Sequence, residues 1–145
     1  MYKHILIPTD GSELSESAIL KGVALAKSMN AKVTGVTVSA PFHAIAVEPL
    51  MVTDTPAQYM KDCETLAAKY LGAIERAAKI SGLQYEGMHV IHDQPYEAII
   101  ATASDKACDL IVMASHGRRG MKALVLGSET TKVLTHSKIP VLVLR

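Results

Sequence analysis

DLIVMASHGRRGMKALVLGSETTKVLTHSKIPVLVLR, the stretch from Asp109 to Arg145, decides how this chain folds. Leu110-Ile111-Val112-Met113 is a short apolar run of the kind buried on both faces of a parallel sheet. A loop with Gly117 and Gly120 follows. Gly127-Ser128 then opens a helix-like segment carrying Thr131, Val133 and Leu134, and a second apolar run spans Ile139 to Leu144. Strand, glycine loop, helix and strand make a βαβ unit, whose crossover is right-handed. Gly127 lets the backbone approach a ligand closely, and Ser128 is the expected N-cap of the helix. The free N–H groups and the dipole at that helix start favour an anion, phosphate above all.

Working outward, the N-terminal part repeats the pattern. His4 to Pro8 reads as a strand broken by Thr9-Asp10-Gly11-Ser12. Ser12 is placed to cap a helix with Glu13 and Glu16 in its first turn, an apolar face of Leu14, Ala18, Gly22, Leu25 and Met29, and a stop at Asn30. Lys32 to Ser39 is rich in β-branched residues and reads as strand two. Ala40 to Pro56 is irregular, interrupted by Pro41, Pro49 and Pro56; its Ile45, Met51 and Val52 are expected to fold over the sheet edge or the site. Ala57 to Ser81 is a long helix with the stripe Met60, Cys63, Ala67, Tyr70, Ile74 and Ala77, closed by Gly82. Tyr85 to His92 is strand three, and Asp93 is expected to cap a helix from Pro95 that turns Ile99, Ile100 and Ala103 inward. Five strands and four helices in this alternation predict an α/β fold: one Rossmann-like domain over residues 1–145 with a parallel sheet of order 3-2-1-4-5. Ligands of such sheets bind at the carboxyl ends of the strands, at the switch point. There the end of strand one, Pro8-Thr9-Asp10, should meet the end of strand four, Met113-Ala114.

Composition narrows the function classes. The chain has 145 residues, 49% of them hydrophobic and 20% charged, with a net charge of +1. That suits a globular domain and gives no basic stripe for nucleic acid. No run approaches the roughly 20 apolar residues of a membrane helix. Cys63 and Cys108 lie in apolar-periodic segments without a CxxC pair, which points to buried, reduced thiols and a cytoplasmic location.

The chain resembles the universal stress proteins. Nucleotide-binding members of that family carry Gly, two residues, Gly, nine residues, then Gly followed by Ser or Thr. Here the register falls on Ala114, Gly117, Gly127 and Ser128, with nine residues from Arg118 to Leu126 and alanine in place of the first glycine. The resemblance extends to ILIPTDGSE (Ile5 to Glu13), CDLIVMASHG and KIPVLVLR. It implies an adenine nucleotide, ATP or AMP, bound by a stress-response sensor or regulatory module, with Mg2+ or Mn2+ accompanying the phosphates. It also implies that Pro8, Thr9 and Asp10 flank the adenosine, that Val38 meets the adenine through its backbone, and that Gly117, Gly127, Ser128 and the N–H of Glu129 receive phosphate. Pairing of two copies through the last strand, 139–145, is a further implication, and it would cover an otherwise sticky sheet edge.

Several residues keep two readings. Asp10 is placed to accept from a ribose hydroxyl or hold a cation, or else to cap its own turn. Ala114 costs on the order of 1–2 kcal/mol if its φ must be positive, and little at the end of a strand. The Glu129 carboxylate suits the helix dipole but competes with phosphate for the same N–H groups. Arg118 and Arg119 offer charge to phosphates or form a solvated pair, and His116 is a phosphate contact or an exposed loop residue. The histidines show no zinc-ligand spacing. GxxxxGK[ST], GxGxxG and GxSxG are absent, so any ATP hydrolysis is expected to be weak. The alternatives to a nucleotide-binding module are a nucleotide-free homodimeric interaction module and a slow hydrolase or self-phosphorylating protein.

Overall fold

The computed structural model describes residues 1–45, 55–117 and 125–145. The expectations for Met51 and Val52, for the side chain of Ile45, and for Arg118, Arg119 and Gly120 lie outside the described residues. In chain order the elements are β1 (His4–Pro8), α1 (Glu13–Met29), β2 (Lys32–Ser39), the single turn α2 (Phe42–Ile45), α3 (Pro56–Ile80), β3 (Tyr85–Ile91), α4 (Pro95–Asp105), β4 (Leu110–Ala114), α5 (Ser128–His136) and β5 (Val141–Leu144). The strands are parallel, in the order β3-β2-β1-β4-β5, as the sequence predicts. With β1 central, the chain leaves it towards β2 on one side, while β4 and β5 build the other, so the loops after β1 and β4 open side by side.

The apolar runs are continuous because both faces of the sheet are covered. Alternation then divides each run. Ile5, Ile7, Val33, Leu110 and Val112 pack with Ile19, Val23 and Ala26 of α1 and Ile74 of α3. Leu6, Val36, Ile111 and Met113 pack with Ile99 and Ala103 of α4 and Val133 of α5. The buried face of α1 is rotated by about one residue from the predicted one: it holds Ser15, Ala18, Ile19, Gly22, Val23 and Ala26, while Leu14 is 39% exposed. Leu25 and Met29 still pack at the margin of the core.

The helix ends follow local chemistry in part. Ser12 Oγ accepts from Ser15 N at 3.2 Å, and Asn30 closes α1 in the left-handed region at φ 52°. Gly82 does the same after α3 at φ 72°. At α4 the expected cap fails: Gln94, not Asp93, is the N-cap and contributes no side-chain hydrogen bond. The Asp93 carboxylate lies 3.5 Å from His43 Nε2 instead.

Two glycines have a packing reason. Gly35 of β2 and Gly87 of β3 are register partners, and together they form a trough for the ring of Tyr85, whose hydroxyl donates to the Leu71 carbonyl at 3.1 Å. A Cβ at Gly87 would lie 2.7 Å from Tyr85 Oη. Burial raises the Tyr85 hydroxyl pKa to about 12, so it stays a donor.

Candidate functional site

The loop after β1 is held by its own hydroxyls. Thr9 is buried; its N–H donates to the Val36 carbonyl at 2.9 Å, and its Oγ1 accepts from Ser15 Oγ at 2.7 Å and from Gly11 N at 3.2 Å. Gly11 has φ 77°, and the ring of Tyr70 occupies the place a side chain would need. Both facts require glycine. Asp10 Oδ1 accepts from Ser12 N at 3.0 Å, so the turn-capping reading of Asp10 holds. Its other oxygen, Oδ2, lies against Gly117, where an added Cβ would collide with it. The ends of β1 and β4 therefore converge, as the strand order requires.

The β4 loop is fastened at three points. Ser115, itself buried, donates its N–H to the Leu144 carbonyl at 2.8 Å, and its carbonyl accepts from Gly127 N at 2.8 Å. His116 joins the two sides of the loop: Ser115 Oγ lies 2.9 Å from Nδ1, and Nε2 bonds the Val125 carbonyl. A tautomer with the proton on Nε2 satisfies both bonds. His116 is part-buried and anchored, so it is not a simple exposed loop residue. Gly127 rests directly on this backbone, for its Cβ would lie 3.2 Å from the Ser115 carbonyl oxygen and 3.3 Å from His116 Cα. The close approach that needs glycine at 127 is thus to the preceding loop.

Ser128 is not the cap of α5. Gly127 takes the N-cap place with φ −60° and ψ 155°, and no side chain caps the helix. The start of the helix is set by tertiary bonds: Gly127 N–H is committed to Ser115, and Thr130 Oγ1 donates to the Ala114 carbonyl at 3.0 Å. The first intrahelical bond runs from Thr131 N to the Gly127 carbonyl at 3.0 Å. The N–H groups of Ser128, Glu129 and Thr130 therefore have no protein acceptor among the described residues. Three donors at the positive end of a helix dipole, close to the Gly117 backbone, are a cradle-like arrangement that can accept an anion.

Ala114 sits in β4 opposite Leu144; among the described non-glycine residues only Asn30 and Ala107 have positive φ. Alanine is unstrained there, so of its two readings the strand-end one holds and it carries no backbone cost. The Glu129 side chain turns away from the cradle. Its Oε2 accepts from Tyr96 N at 2.9 Å, supplying the cap that α4 lacks, and Lys132 Nζ lies 3.1 Å from Oε1. Pro8 ends β1 and Met113 is the last residue but one of β4, while Val38, beside Val90 of β3, packs against the α4 face two strands away from the cradle. Sequence reasoning missed Ser115 and Thr130, the two residues that hold the β4 loop to the helix start. Both are small hydroxyl residues that a hydrophobic pattern passes over.

A cavity of about 210 Å3 at this end is bounded by Thr9, Gly11, Glu16, Tyr70 and Arg76, between α1 and α3. It includes neither Gly117 nor Gly127. Among the described residues no group of three or more His, Cys, Asp and Glu is arranged to hold a metal ion. Among the described residues the Asp10 carboxylate lies against Gly117, so a divalent cation there would depend on phosphate oxygens for most of its ligands.

The strand order defines a doubly wound α/β protein, with the start of α5 at its switch point. A sequence model of the Universal stress protein family matches residues 1–145, and the chain belongs to that family. Universal stress protein MJ0577 of Methanocaldococcus jannaschii is 29% identical to it, over 100% of this chain and 96% of its own length. The solved structure of MJ0577 superposes with a TM-score of 0.84 at 30% identity, covering 99% of this chain and 96% of that one. A universal stress protein solved in complex with cAMP gives a TM-score of 0.70 at 24% identity, covering 99% and 97%. The universal stress protein of Archaeoglobus fulgidus solved in complex with dAMP gives 0.68 at 16%, covering 99% and 98%. At those identities the last two show the fold alone. No helix among the described residues is long and apolar enough to cross a membrane.

Proposed function

We propose that residues 1–145 act as one universal stress protein domain that binds an adenine nucleotide, ATP or AMP, as a stress-response sensor or regulatory module in the cytoplasm. The observation that carries this reading is the set of open N–H donors on Ser128, Glu129 and Thr130, facing the loop where Gly117 meets Asp10. The donors take phosphate, and Asp10 takes a ribose hydroxyl. Pro8, Thr9, Met113 and Ala114 frame the entrance, and the backbone at Val38 meets the adenine. Solved relatives in complex with cAMP and dAMP support the ligand class. Two buried free thiols accord with a reducing compartment. Mg2+ or Mn2+ would enter with the phosphates of ATP. Gly127→Val tests the cradle: its branches would be driven into Ser115 and His116, and nucleotide affinity should fall at least tenfold while the helical signal in circular dichroism stays. Unchanged affinity would remove the cradle from the account.

Homodimerisation belongs to the same proposal. β5 is an edge strand bonded only to β4 among the described strands, and Leu142 on it is 38% exposed. Pairing with a second copy through 139–145 would cover it. That feature also favours the second reading, a nucleotide-free homodimeric interaction module. A slow hydrolase has less support, since both ring nitrogens of His116 are already engaged by Ser115 and Val125.

A further inference from the structure

Two parallel helices, α4 and α5, start side by side at the carboxyl end of the sheet, and the second supplies a side chain to the start of the first. α4 begins with Pro95 and has no cap of its own. Its first free N–H, on Tyr96, is taken by Glu129 Oε2 at 2.9 Å, from the second residue of α5. Lys132 Nζ lies 3.1 Å from the other oxygen and 5.6 Å from the centre of the Tyr96 ring, which stacks on His136 at 5.2 Å. The carboxylate is thus fixed, not a freely turning surface charge, and it belongs to the residue whose own N–H lines the cradle.

We propose that Glu129, clamped between Tyr96 N–H and Lys132 Nζ, sets how much phosphate charge the cradle accepts and favours a single phosphate over a metal-free triphosphate. The inference rests on the nucleotide-binding reading above. A helix N-terminus attracts anions, but a fixed negative charge one residue along adds a repulsion that grows with each ionised phosphate oxygen. Between the dielectric values of a protein surface and of bulk water, a repulsion of this kind spans roughly three- to fiftyfold in affinity per unit of ligand charge. The Glu129 side chain is 36% exposed and Lys132 offsets part of its charge, so the lower end applies. Glu129 is also a positioning residue, because it ties the first turn of α5 to that of α4.

Titration of the whole chain with AMP and with ATP in EDTA, for wild type, Glu129→Gln and Glu129→Ala, separates these roles. The glutamine oxygen still accepts from Tyr96 N–H, so Glu129→Gln should keep the wild-type melting temperature, while Glu129→Ala should lower it. Glu129→Gln should strengthen ATP binding at least threefold more than AMP binding, and high salt should shrink that difference. If wild type binds nucleotide and Glu129→Gln leaves the ATP-to-AMP affinity ratio unchanged, the charge filter is wrong and the nucleotide reading stands. If wild type and both variants bind neither ligand at millimolar concentration, both fall.

Discussion

Gly117→Ala separates binding from stability more cleanly than any other change near the cradle. Gly117 is exposed, and among the described glycines only Gly11 and Gly82 have positive φ, so alanine meets no backbone strain at 117. The added methyl would instead run into Asp10 Oδ2, with Asp10 Cγ 3.5 Å away. The carboxylate can rotate about its Cβ–Cγ bond at the cost of loosening its bond from Ser12 N, and the turn keeps its bond from Gly11 N to Thr9 Oγ1. The stability cost should stay under about 1 kcal/mol. Binding suffers more, because a displaced Asp10 loses a charged hydrogen bond to the ligand, worth about 1.5–3 kcal/mol, or roughly ten- to 150-fold in Kd. Urea denaturation would give the first number and calorimetric titration with AMP the second. Wild-type affinity in a folded Gly117→Ala variant would refute the placement of Asp10 in the site. A loss of stability as large as the loss of binding would refute the claim that only the carboxylate moves.

Three further outcomes follow from other parts of the molecule. Gly35→Ala places a Cβ 2.8 Å from Ile74 Cδ1 and 3.0 Å from Tyr85 Oη, and should cost about 1–3 kcal/mol in urea denaturation; no loss would mean that Tyr85 does not need the trough. Burial first, and the Lys32 ammonium second, hold the His4 imidazole below its ordinary pKa of 6.5, and Thr34 Oγ1 lies 2.7 Å from its Nε2. A depressed histidine favours the neutral form in the fold, so its contribution is complete above pH 6.5 and is lost as pH falls from 6.5 towards the lowered folded value. The stability of His4→Gln should therefore vary less with pH across that window than that of wild type, and an equal slope would discount His4. Leu142→Asp should convert a dimer to a monomer in sedimentation velocity, whereas an unaltered dimer would place the interface elsewhere.

What the sequence discloses about this molecule is what depends on near neighbours along the chain. The continuous apolar runs, the Ser12 cap and the stops at Asn30 and Gly82 are local, and together they determine the alternation from which the strand order follows. The helix starts nearest the site depend on distant residues and read wrongly. Ser128 looks like a cap, but α5 begins where Ser115 fixes Gly127 and Ala114 fixes Thr130. Asp93 also looks like a cap, but Tyr96 N–H is taken by Glu129, 33 positions away. The face of α1 slipped by a residue because Leu14 fits the helical spacing, while Ser15 is the residue turned to Thr9.

The most direct test of the account is calorimetric titration of the chain, stripped of small molecules, with AMP and then with ATP and Mg2+. The account predicts one adenine nucleotide bound per chain, with binding abolished or much weakened in Gly127→Val. Absence of heat for both ligands at millimolar concentration, from a folded protein, would contradict it and leave the nucleotide-free dimer as the better description.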